Sequence, residues 1–150
     1  MDLIISLEGF SLKHQYIIKE LTVMKMNGHY EHFLFSAPQM NITHQDRVTI
    51  QYTERNISGL LWSDGTLSYS SLIDILGKAA TAANGGRIYC HGNMAREFLA
   101  SRLPSTTCLV DSSQAGKKFP KRLQGGLCGK IHNGRYCSLA KAMFILDNFV

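Results

Sequence analysis

Cys128, His132 and Cys137 place two thiols and an imidazole within ten residues, in the pattern Cys-x3-His-x4-Cys. Structural zinc sites use these side chains, in a tetrahedron closed by a fourth N, S or O donor. Gly129, Asn133 and Gly134 lie between the three and permit the tight backbone turns that wrapping an ion requires. The fourth donor must come from elsewhere in the chain. A zinc knuckle would need another Cys near Gly125, and none is there. The plainer alternative is a pair of small packing thiols and a surface histidine. Three such residues at this spacing set a metal site beside that alternative.

The other two of the four cysteines, Cys90 and Cys108, fall in short apolar stretches and read as packing thiols. Four Cys are too few for a disulfide scaffold, so free or metal-bound thiols are expected. Cys90 and His91 are adjacent, and no third residue orients them, so a Cys-His hydrolase is not indicated.

Charge is unevenly placed. The net charge is +5, yet no Asp or Glu occurs from Ser112 to Leu146, which carries Lys117, Lys118, Lys121, Arg122, Lys130, Arg135 and Lys141. A one-signed field suits a polyanion such as nucleic acid; a solvated, incidentally basic surface is the alternative. No apolar run approaches a membrane span, and the start Met1-Asp2-Leu3-Ile4-Ile5 lacks a basic region and cleavage site, so no signal peptide, no membrane and an intracellular, cytoplasmic or nuclear location are expected.

The 150 residues suffice for one domain with a sizeable core. Leu3 to Phe10, Tyr16 to Met26 and Tyr30 to Phe35 read as three strands in an antiparallel meander, with Asn27-Gly28 as a two-residue hairpin turn. From Gln39 to Gly65 the pattern is hard to read; Val48, Ile50 and Tyr52 alternate as in a short strand. Tyr69 to Ala83 has helical spacing with Ser68 as its N-cap, and Asn84-Gly85-Gly86 ends it. Strand Arg87 to Cys90, helix Asn93 to Leu103, strand Cys108 to Val110, a basic loop and helix Ser138 to Phe149 complete the order β-β-β-α-β-α-β-α. That order implies an α/β fold: a mixed sheet, antiparallel first, with helices on its faces.

The order resembles the RNase H-like fold of proofreading-type exonucleases. Ser6-Leu7-Glu8 stands where they carry Asp-x-Glu, His91 to Phe98 is similar to their His-Asn-x-x-Phe-Asp, and Ser138-Leu139-Ala140-Lys141-Ala142 lies where they carry Ala-Leu-x-Asp-Ala. The match implies a degenerate nuclease site of Ser6, Glu8, Glu97 and Lys141. Two-metal cleavage needs several carboxylates around a metal pair. Here Lys141 replaces an Asp, and its ammonium would repel Mg²⁺.

A closer resemblance is to the Maelstrom domain, an RNase H-like fold without the acidic cluster. Lys19-Glu20-Leu21-Thr22 is similar to its Ala-Glu-Ile-Ala strand, His32 to Pro38 to its His-x-Phe-x-x-Pro segment, and Cys128, His132 and Cys137-Ser138-Leu139 to its C-terminal ligands. Three residues separate Cys128 from His132 where the family has two, and Gly129 accommodates the longer spacing. The resemblance implies a Zn²⁺ site of Glu20, Cys128, His132 and Cys137, stapling the C-terminal segment of a single domain spanning residues 1–150. Coordination would also remove the cost of burying the Glu20 carboxylate among Ile17, Ile18, Leu21 and Val23.

The leading expectation is a non-catalytic RNA-binding module. Lys117, Lys118, Lys121 and Arg122, with Lys130 and Arg135, would contact phosphates, and Tyr136 or Phe119 would stack on a base. A divergent nuclease is the second reading. A scaffold for protein partners in a silencing or viral complex, using Trp62 and Tyr69 as exposed aromatics, is the third.

Overall fold

The computed structural model describes all residues except 116–117, 122, 124–126, 131 and 150. Five strands form one mixed sheet in the order β3-β2-β1-β4-β5: β1 Leu3–Ser11, β2 Tyr16–Lys25, β3 Tyr30–Leu34, β4 Arg87–Cys90 and β5 Cys108–Asp111. The first three pair antiparallel, and β4 and β5 run parallel to β1. Alternation along the strands sorts side chains to two faces. Leu3, Ile5, Leu7 and Leu21 pack against helices α2 (Ser71–Ala83) and α3 (Asn93–Arg102). Ile4 and Met24 pack on the other face, under the last helix α4 (Ser138–Phe149). Ser6, Glu8, Glu20 and Thr22 continue the rows of Ile4 and Met24, so polar and charged residues are buried under α4.

β1 and β2 set Glu8 directly opposite Glu20. The register then shifts between Glu8 and Gly9, a bulge at which any side chain would collide with the Ile17 carbonyl, since a Cβ on Gly9 would lie 1.9 Å from it. Two carboxylates paired across strands repel. The arrangement persists because each meets a different partner from the C-terminal quarter.

Several expectations are corrected. The segment with alternating Val48, Ile50 and Tyr52 is a helix, α1 (His44–Asn56), N-capped by Thr43, whose side chain accepts from the Asp46 amide. Its buried positions are Asp46, Ile50 and Thr53, so the inward stripe has helical spacing but two of its three members are polar. Helix α2 is N-capped at Ser70, not Ser68. The β2–β3 turn has three residues: the Lys25 amide bonds to the His29 carbonyl, with Gly28 at φ +90°. Cys108 is exposed at the start of edge strand β5, whereas Cys90 is buried. Trp62 and Tyr69 are half-buried against Phe10 and Phe35, with ring centroids 5.3 and 6.2 Å apart, so neither is a free docking aromatic. No described helix is long and apolar enough to cross a membrane.

Candidate metal centre

Glu20 is fully buried at the middle of β2. Over it lies the turn that leads into α4. Asn133 opens this turn, and its side chain accepts from the Arg135 amide; Gly134 to Tyr136 form one 3₁₀ turn, and Cys137 precedes the helix. The Ser138 amide, one of the donors a helix N-terminus leaves unpaired, donates to Glu20 Oε1. The Ser138 and Thr22 hydroxyls are 2.8 Å apart, a buried contact that also joins α4 to β2.

The ligand atoms of Glu20, Cys128, His132 and Cys137 lie within 4.8 Å of one another. His132 Nε2 is 3.2 Å from both Glu20 Oε2 and Cys128 Sγ. His132 Nδ1 is 3.0 Å from the Ser58 carbonyl, which can only accept. The ring therefore donates from Nδ1, the outer bond that metal-binding histidines ordinarily make, and turns Nε2 to the cluster, where it donates to Glu20 while protonated and becomes a ligand atom once that proton is lost. Metal–ligand bonds of about 2.0–2.3 Å put tetrahedral donors about 3.5 Å apart. The cluster needs to close only slightly to meet that geometry. Two sulfurs, one nitrogen and one carboxylate oxygen can hold a metal ion, and among the described residues no other group of three such side chains converges.

The electrostatics show what an ion would relieve. Burial works against the Glu20 carboxylate, but hydrogen bonds from His132, His32 and the Ser138 amide outweigh it and hold its pKa well below the usual range. Burial would lower the His132 pKa, but the Cys137 and Glu20 side chains beside it raise it to about 10. The Cys128 thiol is pushed up to about 12, chiefly by burial, with Glu20 and Cys137 adding to it. Ligation requires thiolates and a neutral imidazole, so metal uptake must expel protons from this cluster.

The loop bearing Cys128 is tied down on its other side. Lys130 Nζ pairs with Asp64 at 2.8 Å. The backbone carbonyls of Trp62 and Asp64 accept from Lys19 Nζ, a fully buried ammonium on β2.

One α-helical turn past Ser138, Lys141 Nζ reaches Glu8 Oε1 at 2.6 Å and the Leu7 carbonyl at 2.8 Å. Ser6 is buried in the same row. Glu97 does not join them: it is exposed on α3 and bonds to Asn93 one turn away. A single carboxylate already bonded to an ammonium does not offer the acidic cluster that a metal pair needs.

Of the residues expected to contact phosphate, Lys118 and Lys121 are exposed, and Lys117 and Arg122 lie outside the described residues. Lys130 is committed to Asp64, and the Arg135 guanidinium sits 5.5 Å from the Tyr136 ring. Phe119 packs against His91 and Phe144, with centroids 3.9 and 5.2 Å away, so it is not the free stacking platform expected of it. The sequence reading missed His32, whose Nε2 is 2.9 Å from Glu20 Oε2. Its signal lay in the hairpin register, which pairs His32 with Thr22, diagonal to Glu20 on one face.

Comparison of the chain with known protein families, with characterised proteins and with solved structures returns no match.

Proposed function

We propose that the chain is a non-catalytic RNase H-like domain of the Maelstrom type that binds RNA and is held together by a structural Zn²⁺. The observation that carries this reading is the convergence of Glu20, Cys128, His132 and Cys137, the four residues that the Maelstrom resemblance picks out. A meander on one side of β1 and two parallel strands on the other agrees with the RNase H-like order. The two sulfurs and one imidazole suit zinc better than magnesium or calcium, which prefer oxygen. Zinc here would supply cross-linking: it would join β2 to the segment preceding α4. Four protein donors leave no open position for substrate, as is usual for structural sites.

The Glu8–Lys141 pair supports the non-catalytic reading, since an ammonium stands where the exonuclease resemblance puts a metal-binding Asp. RNA is favoured as partner by the acid-free basic quarter, of which Lys118 and Lys121 are exposed. The test is metal analysis of the purified protein beside an RNA titration at several salt concentrations. About one Zn²⁺ per chain is expected. Replacing Lys117, Lys118, Lys121 and Arg122 together with Ala should weaken single-stranded RNA binding and flatten its salt dependence. Each lost contact reduces the slope by about 0.7, or ~3 for all four. Mg²⁺ should leave RNA intact. An unchanged slope in the quadruple variant overturns the RNA assignment, and Mg²⁺-dependent cleavage overturns the non-catalytic one.

A further inference from the structure

Glu20 is the unusual member of the metal set. It is the one hard oxygen donor beside two thiols, and it arises from the middle of a strand with no loop to adjust its position. Its two oxygens are already engaged. Oε1 accepts from the Ser138 amide. Oε2 is 2.9 Å from His32 Nε2 and 3.2 Å from His132 Nε2. An ionised carboxylate can only accept, so His32 donates its Nε2–H.

We infer that His32 is the positioning residue of this metal centre: by donating to Glu20 Oε2 it fixes which carboxylate oxygen, and which direction, faces the metal. The inference rests on the zinc reading above. A metal on His132 Nε2 takes that nitrogen away from Oε2, and His32 then remains as the side chain that orients it. His32 is placed for this and not for ligation. The four donor atoms lie within 4.8 Å of one another, and its ring nitrogens are not among them. Its side chain is 14 % exposed at the rim, while that of Glu20 is fully buried. It stands on β3, so the metal centre draws on both strands of the β2–β3 hairpin as well as the C-terminal turn. Carboxylates that bind metals are themselves hydrogen-bonded, and removing such a partner ordinarily weakens metal binding about 10- to 100-fold.

The test compares the parent with His32→Phe, which removes the donor, and His32→Gln, which restores an N–H. Zn²⁺ affinity is read by competition with a chromogenic chelator, and coordination number from the visible spectrum of the Co²⁺-loaded proteins. His32→Phe should lose about 10- to 100-fold in affinity. His32→Gln should recover most of it, and all three should give one four-coordinate Co²⁺ spectrum. Where the phenylalanine ring does not fit, His32→Ala carries the same expectation. Parent-like affinity in His32→Phe or His32→Ala overturns the inference while leaving the zinc site standing. So does a Co²⁺ spectrum that shifts coordination number, for His32 would then be a ligand. A parent that binds neither metal sinks the inference and the zinc reading together.

Discussion

Stripping the metal with a chelator, or weakening its site by replacing Cys137 with Ser, is expected to lower stability by about 3–5 kcal/mol, the stabilisation that a ligand bound only to the folded chain gives at a few hundred to a few thousand times its Kd. For a domain of this size that corresponds to roughly 6–20 °C in the unfolding midpoint. The reason is local. Glu20 is buried in β2, Cys137 is buried at the start of α4, and the two sequence segments meet at this cluster. Without the ion, α4 remains attached by the Thr22–Ser138 contact, the Lys141 bonds and its apolar face on Ile4 and Met24. The metal-free domain should therefore stay folded at room temperature but lose protection first in the C-terminal segment, which hydrogen exchange can read.

The pH dependence should separate the two forms. Without metal, His132 has a pKa raised to about 10 from 6.5, so the stability it contributes is complete below 6.5 and lost as pH rises through 10. Glu20 is shifted down from 4.5, so its contribution is present above 4.5 and lost on acidification. The metal-free protein should thus be most stable between about 4.5 and 6.5. The metal-bound protein should gain stability across that same window as pH rises, because protons compete with the ion for thiols and imidazole. Midpoints measured from pH 5 to 9 with and without chelator should diverge. Parallel curves would mean that the cluster holds no metal.

How much of this was legible beforehand depends on which physical signal carried each part. The strands were readable because their apolar runs are interrupted by glycine and polar turns, and Ser138–Phe149 because its apolar residues recur at helical spacing. Helix α1 was not. Its buried stripe is Asp46, Ile50 and Thr53, and its apolar Val48 and Tyr52 point outward, so a hydrophobicity pattern misreads it as a strand. Asp46 is buried because its carboxylate accepts from the Lys13 amide, a contact 33 residues away that no local pattern encodes. The Cys-His-Cys spacing was local and therefore visible. The place of Glu20 beside it needed the pairing of a segment more than a hundred residues distant. His32 was lost to a turn of one residue more. Reading Asn27-Gly28 as a two-residue loop would pair Thr22 with Phe33 and turn His32 to the opposite face from Glu20, whereas the three-residue loop pairs Thr22 with His32.

The Glu8–Lys141 pair gives the second large expected effect. Lys141→Met should cost about 3–5 kcal/mol, because it leaves a carboxylate buried beneath α4 with no cation. Burial already raises the Glu8 pKa, and the Glu20 carboxylate opposite adds to it; the Lys141 ammonium opposes both. The Leu7 carbonyl also loses its donor. The double variant Glu8→Leu with Lys141→Met removes both charges and should recover most of the loss, since apolar replacement of a buried pair is often neutral or stabilising. The sign with pH follows from the direction of the shift. A carboxyl whose folded pKa lies above its ordinary 4.5 contributes stability below that value and loses it as pH rises. Removing Lys141 moves Glu8 further in that direction. The deficit of Lys141→Met relative to the parent should therefore shrink on going from pH 7 to pH 4, while the double variant should show no such trend. Chemical unfolding of the three proteins at both pH values measures this directly. A Lys141→Met protein as stable as its parent at pH 7 would show that the ammonium is not what keeps Glu8 buried, and the reading of this pair as the replacement for a nuclease metal centre would fall with it.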